Sequence, residues 1–325
     1  MSITHDMTDD DDVPLRHRRW AVAVLATALV TLAPPGTAEV YQLANPQDSV
    51  IGKPFYLQVS ADQTLLDVGR RYGLGFDEMK AANPGVDMWV PKANADVMVP
   101  AQQVLPAVER QGIVLNIAEK RLYYFRSPTE IESFAVGTGR DGWETPVGNY
   151  KIISKVKDPT WTPTESVRKE HAAAGDILPA VVPAGPDNPL GAYAMRLDRG
   201  SYLIHGTNKP WGVGMQVSHG CTRMYPEDVE HLFGEVEIGT PVMVVNQPYK
   251  IGWLGDTLYL EVNAYKEEMR QKPVEEIIPA EIANADGVRI DWEEVRRVRD
   301  ENAGLPRVIG GRQGSTSWHY LDMIF

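Results

Sequence analysis

One cysteine, Cys221, stands in 325 residues. The chain therefore has no internal disulfide, and its fold rests on buried apolar surface and hydrogen bonds alone. The composition allows this, with 43% of residues hydrophobic, near the globular norm. At this length two or three folded units are expected. The formal net charge of -12 does not supply the basic surface that binding phosphates needs, which argues against nucleic acid as the main partner. Part of the excess, Asp9 to Asp12, reads as solvated chain.

Residues 1–38 have the pattern of a secretory signal peptide. Arg16, Arg18 and Arg19 precede an apolar run of 14 residues, Trp20 to Ala33, and Gly36-Thr37-Ala38 follows as a small-residue cleavage site. An uncleaved anchor is the alternative, although a membrane span needs about 20 residues. Either reading places the rest of the chain outside the cytoplasm, in the periplasm. A lone thiol there is exposed to oxidation. It is either an inert small hydrophobe or retained for its chemistry.

Residues 55–101 read as a small α+β unit. Phe55 to Val59 alternates as a strand does. Thr64 is placed to cap a helix carrying Leu65, Leu66, Val68 and Tyr72, which Gly73 ends. Phe76, Met79 and Ala82 suit a second helix, and Val97 to Val99 a returning strand. With Asp62-Gln63-Thr64-Leu65, Arg70-Arg71-Tyr72-Gly73 and Met79 to Pro84, the unit resembles a LysM domain. Ser60-Ala61-Asp62 departs from the usual Pro-Gly-Asp turn. The resemblance implies binding to N-acetylglucosamine-containing glycan strands.

From Gly112 the pattern is β. Short strand-like runs cover Ile113–Ile117, Arg121–Phe125, Glu130–Val136, Tyr150–Val156, Ser201–Ile204 and Pro241–Val245. Between Lys157 and Leu190 lies a loop-rich stretch with six prolines, a candidate lid or substrate wall. A helix over Pro226–Phe233 has proline in its first turn and Glu227 and Asp228 at its positive end. Residues 250–264 read as a β-hairpin about Gly255-Asp256, and 265–325 as a charged region, partly helical or disordered.

The chemistry gathers around the cysteine. His205-Gly206-Thr207-Asn208 precedes Ser218-His219-Gly220-Cys221-Thr222-Arg223. A thiol reacts as thiolate, which a nearby imidazole can generate. Gly206 and Gly220 allow close backbone approach, and N–H groups at the turn suit an oxyanion. One Cys with two His could instead ligate zinc, but three donors are fewer than a closed site needs. Trp161 and Trp211 are candidates for the cleft wall or for plain packing.

This constellation looks like the signature of the L,D-transpeptidases of the YkuD family. Gly142 to Gly148, Lys157 to Pro163 and Ile204 to Asn208 match supporting stretches, and the likeness runs over residues 112–246. The following hairpin looks like the tail of LysM-bearing members. The resemblance implies a mainly β catalytic domain, a β-sandwich with a short helix after the nucleophile. It implies Cys221 as nucleophile and His205 as general base, oriented by the Gly206 carbonyl. His219, Gly220, Ser218, Gly206 and Arg223 would bind the oxyanion or the substrate. For His219 a structural role, and for Arg223 a plain surface charge, remain open. Thr222 departs from the apolar residue common after the cysteine.

The implied substrates are peptidoglycan stem peptides. Cys221 would acylate at diaminopimelate of a tetrapeptide stem and pass the acyl group to an amine. That amine belongs to another stem, giving a 3→3 cross-link, or to an outer-membrane lipoprotein. No cofactor or metal is called for. A hydrolase on the same site and a non-catalytic glycan-binding protein are the rivals. Inactivation by carbapenems at Cys221 is a further implication of the resemblance.

Overall fold

The computed structural model describes residues 39–313. The expected signal peptide or anchor of residues 1–38 and the last twelve residues lie outside them. Two short strands, β1 (Val40–Gln42) and β2 (Val50–Gly52), lead into the βααβ unit. It comprises β3 (Phe55–Gln58), α1 (Leu65–Arg71), α2 (Phe76–Ala82) and β4 (Asp96–Val99), as the pattern predicts. Thr64 and Asp67 form a reciprocal cap on α1, each side chain accepting the other's backbone N–H at 3.1 and 2.8 Å. Buried Asn83 ties α2 to β4: its amide donates to the carbonyls of Met79 and Met98 and accepts from Met98 N–H. Val59, Leu65, Val68, Met79, Val97 and Val99 fill the core between.

After β5 (Gln102–Val104), which pairs with β2, comes the β domain. Its elements are β6 (Gly112–Asn116), β7 (Arg121–Ser127), β8 (Glu130–Gly139), β9 (Gly148–Lys157), α3 (Glu165–Ala173), β10 (Tyr193–Leu197), β11 (Leu203–His205), β12 (Gln216–Ser218), β13 (Thr222–Met224), α4 (Pro226–Glu235) and β14 (Pro241–Val245). Pairing runs β8-β13-β11-β10-β9-β14-β6-β7 and returns to β8. The sheet is therefore a closed barrel, and the expected sandwich is corrected. The cause is the ten-residue β8, whose first half pairs with β7 and whose second half takes β13. Closure removes the free edges that a sandwich would keep.

Ile113, Leu122, Phe134, Ile152, Met195, Ile204 and Val242 fill the interior, and α4 adds Val229 and Leu232. The outer face of β6 to β8 is also covered: Val114, Tyr123 and Ile131 pack against Leu43, Ile51 and Leu105. Burial on both faces explains why β6 reads as a continuous apolar run.

The βααβ unit is welded to the barrel. Arg121, 2% exposed, makes bonds of 2.7 and 2.8 Å to the Glu78 carboxylate. Arg70 pairs with Glu227 at 2.6 Å, and Tyr225 OH donates to the Leu74 carbonyl at 3.0 Å. Gly75 and Gly214 meet backbone to backbone, since a Cβ on Gly214 would lie 2.3 Å from the Gly75 Cα.

Residues 249–313 form a second α+β module. The hairpin β15 (Tyr249–Leu254) and β16 (Thr257–Val262) is followed by α5 (Glu267–Arg270), α6 (Ala280–Ala283), β17 (Val288–Ile290), α7 (Trp292–Glu301) and β18 (Arg307–Arg312). Strand order is β15-β16-β18-β17, so the hairpin is half of a four-stranded sheet. The stretch expected as a charged, partly helical or disordered region is thus folded through residue 313. Val295 and Val298 of α7 and Ile309 of β18 bury against Leu258 and Leu260. A buried cluster joins module to barrel: the Lys250 ammonium bonds Glu119, Glu261 at 2.9 Å and the Val104 carbonyl at 2.6 Å. Among the described residues no helix is long and apolar enough to cross a membrane.

Candidate active site

β11 and β13 run parallel, with Ile204 beside Thr222 and His205 beside Arg223. Alternation along each strand then puts Cys221, Arg223 and His205 on one face. The half-buried Cys221 thiol points to the Ser201 carbonyl, 3.8 Å away. Burial pushes the thiol pKa up, opposed by the Leu203 N–H and the Arg223 charge. His205 is 3% exposed. Burial, with Arg223 nearby, lowers its pKa to about 3, against the carbonyls of Gly206 and Leu190. The resting pair is therefore a neutral thiol and a neutral imidazole. His205 Nδ1 lies 2.6 Å from the Gly206 carbonyl. Only Nδ1–H can make that bond, so Nε2 is left with its lone pair.

The turn bearing the thiol is locked from several sides. Ser218 Oγ donates to the Cys221 carbonyl at 2.5 Å and accepts the Gly220 N–H at 3.2 Å. Thr145 Oγ1 donates to the Gly220 carbonyl. Gly220 has φ +98°, and a Cβ there would meet the Trp143 carbonyl at 2.9 Å and the Tyr202 ring at 3.1 Å. Only glycine suits this position. Gly206 is less constrained: its φ is not positive, and a Cβ there would lie 3.1 Å from the Val229 side chain. Ser218 and Gly220 thus shape the turn, and the Gly220 N–H is already engaged within it.

Arg223 is mostly buried, and among the described residues its Nε has no hydrogen-bond partner. Burial lowers its pKa, while Cys221 opposes that. A guanidinium buried beside a thiol favours the anionic sulfur and is poor in compensation until a negative charge arrives.

His219 faces elsewhere. Its Nε2 lies 2.8 Å from Glu170 Oε2 and 3.2 Å from Arg140 Nη2, and Arg140 also binds Glu170. Trp143 stands edge-on to the ring at 5.0 Å. Glu170 comes from α3, a helix within the proline-rich stretch expected to be irregular. That stretch is tied at its base by buried Asn188, which donates to the carbonyls of Pro159 and Pro183. The zinc alternative loses support here, because His219 is turned to Glu170. Among the described residues no group of three or more His, Cys, Asp or Glu is placed to hold a metal.

Sequence reasoning missed Glu170, Arg140, Thr145 and Lys266. Lys266 reaches from the C-terminal module to Asp141 at 2.9 Å and Glu144 at 3.0 Å, bracing the loop that carries Trp143 and Thr145. Of the two tryptophans, Trp161 bridges to Val182 within the strap. Trp211 is 51% exposed and stands at the junction with the βααβ unit, near Leu66 and Tyr225.

Thiol, imidazole and guanidinium thus share one face of a closed β-barrel. The model of the L,D-transpeptidase catalytic domain, YkuD, matches residues 110–244. The protein named "Probable L,D-transpeptidase ErfK/SrfK" of Salmonella typhimurium is 37% identical, covering 84% of this chain and 92% of its own. Its Escherichia coli namesake is 36% identical over 88% and 96%. "Probable L,D-transpeptidase YbiS" of Escherichia coli is 39% identical over 78% and 85%. The chain belongs to the YkuD family of L,D-transpeptidases.

Proposed function

We propose that Cys221 attacks the diaminopimelate carbonyl of a peptidoglycan tetrapeptide stem. His205 Nε2 takes the thiol proton as the S–C bond forms. It returns that proton to the amine of the departing D-alanine. An amine acceptor then attacks the thioester, and Cys221 leaves as the thiol. The observation that carries this reading is the His205–Gly206 bond together with Arg223, which faces both thiol and imidazole. With a raised thiol pKa and a lowered imidazole pKa, a free thiolate–imidazolium pair is uphill. Proton transfer therefore accompanies attack, and Arg223 offsets the charge that develops. Ser218 and Gly220 hold the turn that presents the thiol.

The βααβ unit serves as a LysM-type glycan-binding module in this reading. Its loop presents Trp89, 56% exposed, held by an Asp87 carboxylate that accepts the Trp89 and Val90 N–H groups at 2.8 and 2.9 Å. An exposed aromatic face suits a sugar ring. The protein acts outside the cytoplasm, on the cell wall.

The test is the product spectrum from purified muropeptides. Cross-linked dimers, or a stem joined to a lipoprotein lysine, support transfer. Tripeptides alone would point to hydrolysis by the same site. Cys221→Ala should abolish every product, and a carbapenem should add its mass to Cys221 in the unaltered chain. Full activity of Cys221→Ala would rule out the enzymatic assignment of this thiol.

A further inference from the structure

The strap from Asp158 to Leu190 reaches the nucleophile turn through the Glu170 carboxylate. Glu170 Oε2 sits between His219 Nε2, at 2.8 Å, and Arg140 Nη2. Neither donor is bound to another acidic side chain among the described residues. These two side chains, with the Trp143 face beside them, form a cradle for an anion. His219 is two positions from Cys221, and Arg140 donates its backbone N–H to the Ser218 carbonyl at 3.0 Å. The cradle is therefore built on the nucleophile turn itself.

The carboxylate that fills it is weakly held from behind. Of α3 only Val167 is buried, and residues 172–177 are exposed throughout. The base of the strap is fixed by Asn188, whereas its helix contributes little apolar surface. Glu170 is thus a principal anchor of α3 on the site. Its pKa lies well below the usual carboxylate range, about 2, because Arg140 and His219 hold the charged form.

We propose that Arg140 and His219 form a carboxylate subsite for the stem peptide, and that Glu170 is an intramolecular stand-in that the substrate carboxylate displaces. This rests on the stem-peptide reading above. The chemistry required is one unblocked carboxylate on the donor stem. Two sources exist, the C-terminal carboxylate of the leaving residue and the free carboxylate of diaminopimelate. Displacement frees α3, so the strap opens as the donor enters. Self-competition of this kind weakens donor binding by the fraction of time the subsite is vacant.

The experiment measures binding of the tetrapeptide stem to full-length protein carrying Cys221→Ala, so that no turnover intervenes. Adding Glu170→Ala should tighten binding by the inverse of the vacant fraction, roughly ten-fold for a subsite vacant about a tenth of the time. Glu170→Gln should tighten it in the same direction. Arg140→Ala should weaken it, with or without Glu170. Stems amidated at the C-terminus or at the diaminopimelate carboxyl separate the two sources: the amide that cancels the gain from Glu170→Ala marks the carboxylate that enters. Unchanged or weaker binding in Glu170→Ala, or a gain that survives both amidations, overturns the subsite. The cross-linking reading is judged separately by products in the Cys221 enzyme, so either idea can fail alone.

Discussion

His205 Nδ1 and the Gly206 carbonyl stand 2.6 Å apart, a bond between chain neighbours that fixes which ring nitrogen carries the proton. Among the described residues no carboxylate holds this imidazole. Its base strength is therefore set by burial and by Arg223, both of which lower it. A ring so placed stays neutral far into acid, beside a thiol whose pKa burial raises.

This has a consequence for stability. The folded ring titrates at about 3, the unfolded ring near 6.5. Between these values the unfolded chain binds a proton that the folded chain does not. Stability contributed at neutral pH is therefore lost as pH falls from 6.5 toward 3, at up to about 1.4 kcal/mol per pH unit. Urea unfolding at pH 7 and pH 4 should show the drop, and His205→Asn should flatten it. An equal drop in His205→Asn would assign it to other groups.

Asp228 works in the opposite sense. It is 5% exposed, its Oδ2 has no partner among the described residues, and burial raises its pKa to about 7. From about 4 to 7 the unfolded chain releases this proton and the folded chain keeps it, so stability falls as pH rises through that window. Asp228→Asn should then gain on the order of 1–2 kcal/mol at pH 8 and little at pH 4. Denaturant midpoints at the two pH values measure this.

Glu78 neutralises an arginine with almost no access to water. Glu78→Ala would leave Arg121 buried and unpaired, at a cost of about 3–5 kcal/mol. Replacing the pair together by Leu and Met should cost far less. Thermal unfolding of the single and double variants checks this, and protease cutting near residues 100–111 should rise in the single variant alone.

Gly214 tests the coupling of module to barrel. At φ +85° an alanine is strained, and its Cβ would lie 2.3 Å from the Gly75 Cα and the Phe76 N. Gly214→Ala should lower stability by about 1–3 kcal/mol. Retention on sedimented peptidoglycan should persist while cross-linked product falls. Equal loss of both would mean that the unit itself had unfolded.

The sequence revealed what is local. Cys221, Ser218, Gly220, His205 and Gly206 are legible because two short segments carry them, and the βααβ unit because its caps and periods are regular. Glu170 and Arg140 were hidden, since they meet His219 from distant segments and α3 lies among prolines. β13 has three residues and no alternation to read. Barrel closure depends on β8 pairing along both edges, which no run of residues declares. In α7, charges surround a stripe of two valines, so a packed helix resembled a solvated one.

The glycine-to-glycine contact at Gly75 and Gly214 sets how far the module stands from the thiol. A jointed arm would let the enzyme sweep a volume of wall around its hold. Three ion pairs, a tyrosine hydroxyl and bare backbone fix this unit to the barrel. On the proposed grip on a glycan strand, the molecule would behave as a caliper. It would present Cys221 to stems that project at one reach and one angle along the strand, and pass over the rest.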